Sequence, residues 1–208
     1  RTLKLDHLWT LHQLGGLDEL TALAALQHED VHVRLWTLRL LADRGQPVSP
    51  QLYEVIHSLA RSSAPQFISQ LAASLQRLPT HQALPLLTQI LLADQFTSDS
   101  YIPSQLWWAL EIHATQSPES VLSWLADTSL WQTPIVETKL ATLLARRFAS
   151  DPSEANLNHL GVLLDMAPDA MIPILVRGID LGLQGITLTI IPETLDLALA
   201  KASAANPQ

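Results

Sequence analysis

The chain has 208 residues, of which 48% are hydrophobic and 15% charged, with 12 Lys+Arg against 20 Asp+Glu for a formal charge of −8. That composition excludes a disordered polymer, and the acidic balance argues against a phosphate-binding face. With no Cys there is no disulfide, no thiolate zinc site and no attached c-type haem within these residues. No apolar run reaches the roughly 18 residues that would suggest a membrane span, so no membrane insertion is expected.

Leu and Ala dominate the apolar residues, and both favour helix. Apolar positions recur at spacings of three and four, interrupted by Pro, Ser, Asp and Gly, which predicts helical hairpins. The first hairpin pairs residues 6–14 with 18–27 across Gly15-Gly16, with Leu8, Leu11, Leu14, Leu20, Leu23 and Leu26 as its inward stripe. The second runs from Val31 to Arg44 and returns from Ser49, which caps, with Pro50 in the first helical position. The third opens at a Ser63/Gln66 capping box, turns at Pro79-Thr80 and ends at Ala93. A polar loop, residues 94–100, follows.

The fourth hairpin spans 102–114 and 117–126, and the fifth runs from Pro134 to Ala149. The return helix of the fifth is capped by Asp151, with Pro152 and Glu154 behind it. The sixth pairs 169–183 with 192–202. Between them Ile186-Thr187-Leu188-Thr189-Ile190-Ile191 is β-prone but isolated, and reads as an extended connection. From residue 31 onward the hairpins start at intervals of 33 to 37 residues. Leu8-Trp9-Thr10-Leu11 recurs as Leu35-Trp36-Thr37-Leu38. Such periods belong to helical repeats. The expected fold is all-α: one α-α superhelix, a HEAT/armadillo-like solenoid over residues 1–208. The competing arrangement is two irregular bundles joined at 94–100. Opening at Arg1 directly in a helical pattern, the chain reads as a fragment of a longer protein.

His28-Glu29-x-x-His32 spells a zinc-protease site, in which two His one helical turn apart hold the metal and the Glu activates water. That chemistry needs one helix through residues 28–32. The apolar patterns instead put a corner there, with Asp30 capping the next helix, Val33 pointing inward and Arg34 set to pair with Asp30. A third ligand at metalloprotease spacing is missing, so a zinc-dependent hydrolase using His28, Glu29 and His32 is the alternative function and not the leading one. No other His group has metal-ligand spacing. No cofactor is expected in this segment.

Trp9 and Trp36, at matching repeat positions, read as core wedges, and Trp124 and Trp131 as caps on the core. Trp107 and Trp108 are adjacent and about 100° apart on a helix. Trp108 extends the apolar stripe, which leaves Trp107 and Glu111 as candidates for a partner-facing patch. Arg146-Arg147 sits near a helix C-terminus and can complement its dipole or grip an acidic partner. The pair is too small for nucleic acid, so a HEAT-type nucleic-acid enzyme is disfavoured.

One stretch reads Ile102-Pro103-x-x-Leu106-Trp107-Trp108-Ala109-Leu110-Glu111, then Val121-Leu122, Leu130-Trp131-x-x-Pro134-Ile135-Val136 and Arg146-Arg147-Phe148. With His7-Leu8-Trp9-Thr10-Leu11-x-x-Leu14-Gly15 and the Asp30-Val33-Arg34 turn, it resembles the HEAT-like middle region of large planctomycete-type proteins. In that family the region follows a membrane-bound-dehydrogenase-like β-propeller and precedes a c-type cytochrome domain. The propeller and the haem motif are absent here, and His28-Glu29-Asp30 replaces the usual Asp-Pro turn. The resemblance implies an extracytoplasmic, periplasmic oxidoreductase in which this segment is a non-catalytic scaffold. It would space or dock the catalytic and cytochrome parts, its partners being neighbouring domains or another subunit.

Overall fold

The computed structural model describes residues 2–62 and 64–205. The described residues form twelve α-helices and no strand. They are α1 Thr2–Gln13, α2 Glu19–Leu26, α3 Val31–Ala42, α4 Pro50–Ser62, α5 Pro65–Leu75 and α6 Thr80–Leu92. Then come α7 Ile102–Gln116, α8 Pro118–Leu125, α9 Ala141–Ala149, α10 Glu154–Met166, α11 Ile172–Leu183 and α12 Glu193–Ala205. No helix among them is long and apolar enough to cross a membrane. The chain divides into two compact units, and the division falls inside α7, between Leu110 and Glu111. The polar loop 94–100 lies within the first unit, held by the buried ring of Phe96.

In the first unit each helix packs on the next but one: α1 on α3, α3 on α5, α2 on α4 and α4 on α6. The centre is α5 and α6. Phe67, Ile68, Leu71 and Leu75 recur at spacings of one, three and four, so they share one face, and all are sealed from water, as are Leu86, Leu87, Ile90 and Leu91. Burying each such side chain contributes roughly 1.5–3 kcal/mol before chain entropy is charged against it. Polar ties join successive hairpins. The Gln82 side-chain amide accepts from Val48 N–H at 3.0 Å and donates to Val48 O at 2.9 Å. Arg77 Nε lies 2.9 Å from Asp43 Oδ1, and Ser69 Oγ donates to Gln105 Oε1 at 2.9 Å.

The first hairpin departs from the expected stripe. Leu8 and Leu26 are buried, but Leu14 and Leu20 are 79% and 77% exposed and Leu11 is exposed too. Leu17 in the connection takes the buried place instead. Leu14 falls beyond the end of α1, in a turn whose Gly15 has φ +73°, and Ala22 and Leu26 form the inner face of α2.

Helix starts follow local chemistry. Asp18 accepts from Thr21 N–H at 2.8 Å, and Ser49 Oγ accepts from Leu52 N–H at 3.4 Å. Asp99 Oδ1 accepts from both Tyr101 and Ile102 N–H, a start signal for α7 that sequence reading passed over. Ser63 of the expected capping box lies outside the described residues; Ala64 precedes α5 and makes no side-chain cap. Hydrogen bonds from Thr21 hold the Asp18 carboxyl below its ordinary value of 3.8, and Ser129 does the same for Asp127. A depressed carboxyl contributes stability that is present above 3.8 and lost as pH falls through the lower folded-state value. In thermal melts titrated downward, the stability these two carboxyls contribute should therefore fall away as pH drops from 3.8 toward the lower folded-state value. Asp18→Asn, which still caps but cannot ionise, should shrink the acid-side loss.

The second unit repeats the pattern: α8 packs on α10, α9 on α11 and α10 on α12. One turn of π-helix, Val136–Leu140, leads straight into α9. The cap of α10 is Ser153, whose Oγ accepts from Asn156 N–H at 3.3 Å, and not Asp151. Helix begins at Glu154, so only residue 153 stands immediately before it. Asp151 instead accepts from Asn156 Nδ2 through its carbonyl at 2.7 Å and its carboxylate at 3.2 Å. Trp131 is buried and its Nε1 donates to Leu125 O at 2.9 Å, satisfying a carbonyl at the end of α8. Trp131→Phe keeps an aromatic side chain but removes the N–H, orphaning that carbonyl, and leaves part of the indole's space empty. Chemical denaturation should show a loss of about 1–3 kcal/mol.

Three glycines let helices of this unit touch. A Cβ on Gly161 of α10 would lie 2.7 Å from the Thr194 backbone, and one on Gly182 of α11 would lie 2.7 Å from Arg146 O. One on Gly178 would collide with Thr142 O. Polar ties again link one hairpin to the next: Lys201 Nζ meets Asp165 Oδ1 at 2.8 Å, and Thr194 Oγ1 donates to Asn158 Oδ1. Residues 186–191 are neither helix nor strand.

Candidate interaction surfaces

The corner at residues 28–34 decides between scaffold and hydrolase geometry. Helix α2 ends at Leu26 and α3 begins at Val31, so His28, Glu29 and Asp30 occupy the turn and His32 the first turn of the next helix. Asp30 Oδ1 accepts from His32 N–H at 2.9 Å, and His28 Nδ1 accepts from Asp30 N–H at 2.9 Å. Val33 is buried. The Arg34 guanidinium has a use that spacing alone does not show: Nη1 donates to His28 O at 2.7 Å and Glu29 O at 3.1 Å. It therefore staples the carbonyls of the turn to the start of α3. The two imidazoles do not stand one helical turn apart on one helix, which is what the zinc mechanism requires. Among the described residues no group of three or more His, Asp or Glu is arranged to hold a metal ion.

On α7 Trp108 departs from its expected place in the apolar stripe. Trp108 is 53% exposed and Trp107 is half-buried. The 100° between neighbours fixes their relative direction but not which of them the adjoining helix covers. Tyr101, seven residues before Trp108 and so close to the same face, is 72% exposed. The first unit thus exposes Tyr101, just before α7, and Trp108, in the middle of that helix, both of which the sequence placed beside the apolar stripe.

In the second unit Glu111 and Arg147 come together, with Arg147 Nε 3.8 Å from Glu111 Oε1. They border a shallow hollow with Ile112, Thr115 and Gln116. Both side chains are about one-third exposed, so the pair contributes roughly 0–1 kcal/mol and stays open to exchange for an external partner. Arg146 is exposed on α9, beside Arg147 but directed about 100° away. The His159 ring lies tilted against Phe148, with centroids 5.5 Å apart, and its Nε2 lies 3.5 Å from Glu119 Oε1.

Trp9 and Trp36 are not core wedges. Their rings meet edge to face at 5.0 Å, Trp9 is 37% exposed and Trp36 half-buried. Arg39 lies over the Trp36 ring at 4.9 Å. The Trp36/Arg39 spacing of three residues carries this signal, because it sets a guanidinium above the ring one turn earlier. The edge-to-face contact itself joins two helices and is invisible to local pattern.

No family model matches the chain, and neither a curated protein nor a solved structure matches it.

Proposed function

We propose that this chain is a HEAT-type α-solenoid that acts as a non-catalytic scaffold. It spaces or docks the dehydrogenase-like propeller and cytochrome c parts of a larger extracytoplasmic, periplasmic oxidoreductase. The observation that carries the repeat reading is the packing of helices on the next but one within each unit, with polar ties between hairpins at intervals that cluster near 34 to 36 residues. Glu111–Arg147, Asn158–Thr194, Asp165–Lys201 and Ser69–Gln105 all join residues 36 apart. A stack of similar hairpins favours such recurring intervals. The docking role rests on the motif resemblance and on exposed Tyr101 and Trp108, the residue type that most often anchors protein interfaces. Trp107, Glu111, Arg146 and Arg147 belong to the same proposal as contacts to neighbouring domains or another subunit.

The test is to mix the chain with separately produced propeller and cytochrome c domains of that family and measure binding by calorimetry. At least one should bind, and Trp108→Ala should weaken it tenfold or more without changing the chain's melting temperature. Failure of both domains to bind would remove the docking role while leaving the repeat architecture untouched.

A further inference from the structure

The connection between α11 and α12 has properties that a plain linker does not need. Residues 186–191 carry no charge, no Gly and no Pro; Leu188 is half-buried and the other five are exposed, Ile190 at 76%. Ile186 N–H donates back to Leu183 O at 2.9 Å. The amides of residues 187–191 donate to no backbone carbonyl among the described residues. Its residues line one shallow cleft with Pro152, Glu154 and Leu157. The segment is irregular, with a bend at Thr189, and exposed backbone whose amides have no backbone acceptor can be drawn out into strand pairing. Its β-branched side chains suit a pleated surface.

The order of the side chains selects the partner. Ile186-Thr187-Leu188-Thr189-Ile190 reads the same in both directions. Antiparallel pairing of two copies about a two-fold axis through Leu188 therefore sets Ile186 against Ile190, Thr187 against Thr189 and Leu188 against itself. Each cross-strand pair then matches in chemistry, apolar on one face and hydroxyl on the other, the arrangement that stabilises antiparallel pairs. A strand of arbitrary sequence has no such match to itself.

We infer that residues 186–190 form a self-complementary strand through which two copies of this chain associate as a closed, two-fold dimer. Pro192 and α12 end the strand after this stretch, which limits pairing to one short ladder per copy. The interface is isologous.

The absence of cysteine makes a direct test available. In a two-fold antiparallel pair the two Leu188 Cα atoms lie about 4.5–5.5 Å apart, within the range a disulfide spans. Leu188→Cys should therefore cross-link to dimer under oxidised glutathione at least ten times faster than Leu197→Cys, an exposed control on α12. Sedimentation equilibrium of the unmodified chain should show a monomer–dimer equilibrium. Leu188→Lys, which places like charges on the axis, should shift it to monomer with an unchanged far-UV circular dichroism spectrum. Should that variant lose its helical spectrum, the cysteine comparison decides. Equal cross-linking rates for the two cysteines, a monomer at every concentration, or open-ended oligomers in place of a dimer would each overturn the inference.

Discussion

Gly178→Ala lowers the stability of the second unit by about 1–3 kcal/mol, the range for an overpacked core position. The sign is the informative part. In an isolated helix alanine is more favourable than glycine by about 1 kcal/mol, so local propensity alone predicts that the same change stabilises. Packing opposes it, because an added Cβ meets the Thr142 carbonyl and comes within 2.9 Å of Ala145 Cβ. Neither obstacle is the far end of a flexible side chain, so α11 must move away from α9. Gly182→Ala meets Ala149 Cβ at 2.5 Å and Arg146 O at 2.7 Å and falls in the same direction. Urea midpoints of the two variants measure this. A rise in either would mean that α9 and α11 are further apart than described here.

The second large effect belongs to Arg34. Arg34→Ala removes the donor to two turn carbonyls, and hydrogen bonds to a charged group contribute about 1.5–3 kcal/mol each. A loss of at least about 2 kcal/mol in denaturant unfolding is expected, with Arg34→Lys intermediate, since an ammonium can donate to both carbonyls as Nη1 does but on a shorter, more flexible stem that does not hold it in place. His32→Ala should have a smaller effect, because it is the His32 backbone N–H and not its ring that Asp30 receives. A zinc site would invert this ranking: His28→Ala and His32→Ala would then cost metal content and stability, and Arg34 would matter little.

Much of the architecture was legible because it is written locally. Pro50, Pro65 and Pro118 each stand at the first position of a helix, and Asp18, Asp30 and Ser49 precede helices they cap. What local pattern cannot supply is the identity of the neighbour. Leu14 and Leu20 have the right spacing for a core stripe, yet exposure depends on what lies across from them. Trp107 and Trp108 differ only in what covers them. At residues 151–153 two cap-forming side chains flank a proline, and spacing did not say which one abuts the helix. The Gly178/Gly182 pair is present in the sequence at one-turn spacing, but its meaning comes from the Ala145 and Ala149 surface it meets. The Gln82 amide pairing with Val48 and the 36-residue ties are likewise visible only once hairpins are stacked.

Native-state hydrogen exchange tests the repeat account most directly. If stability is a sum over hairpins and their immediate neighbours, opening free energies must grade along the stack. Amides of α1 and α2 should exchange through the smallest openings in the first unit and those of α5 and α6 through the largest, with α12 opening before α10 in the second. Equal protection in all of these helices, lost together in one global transition, would contradict it.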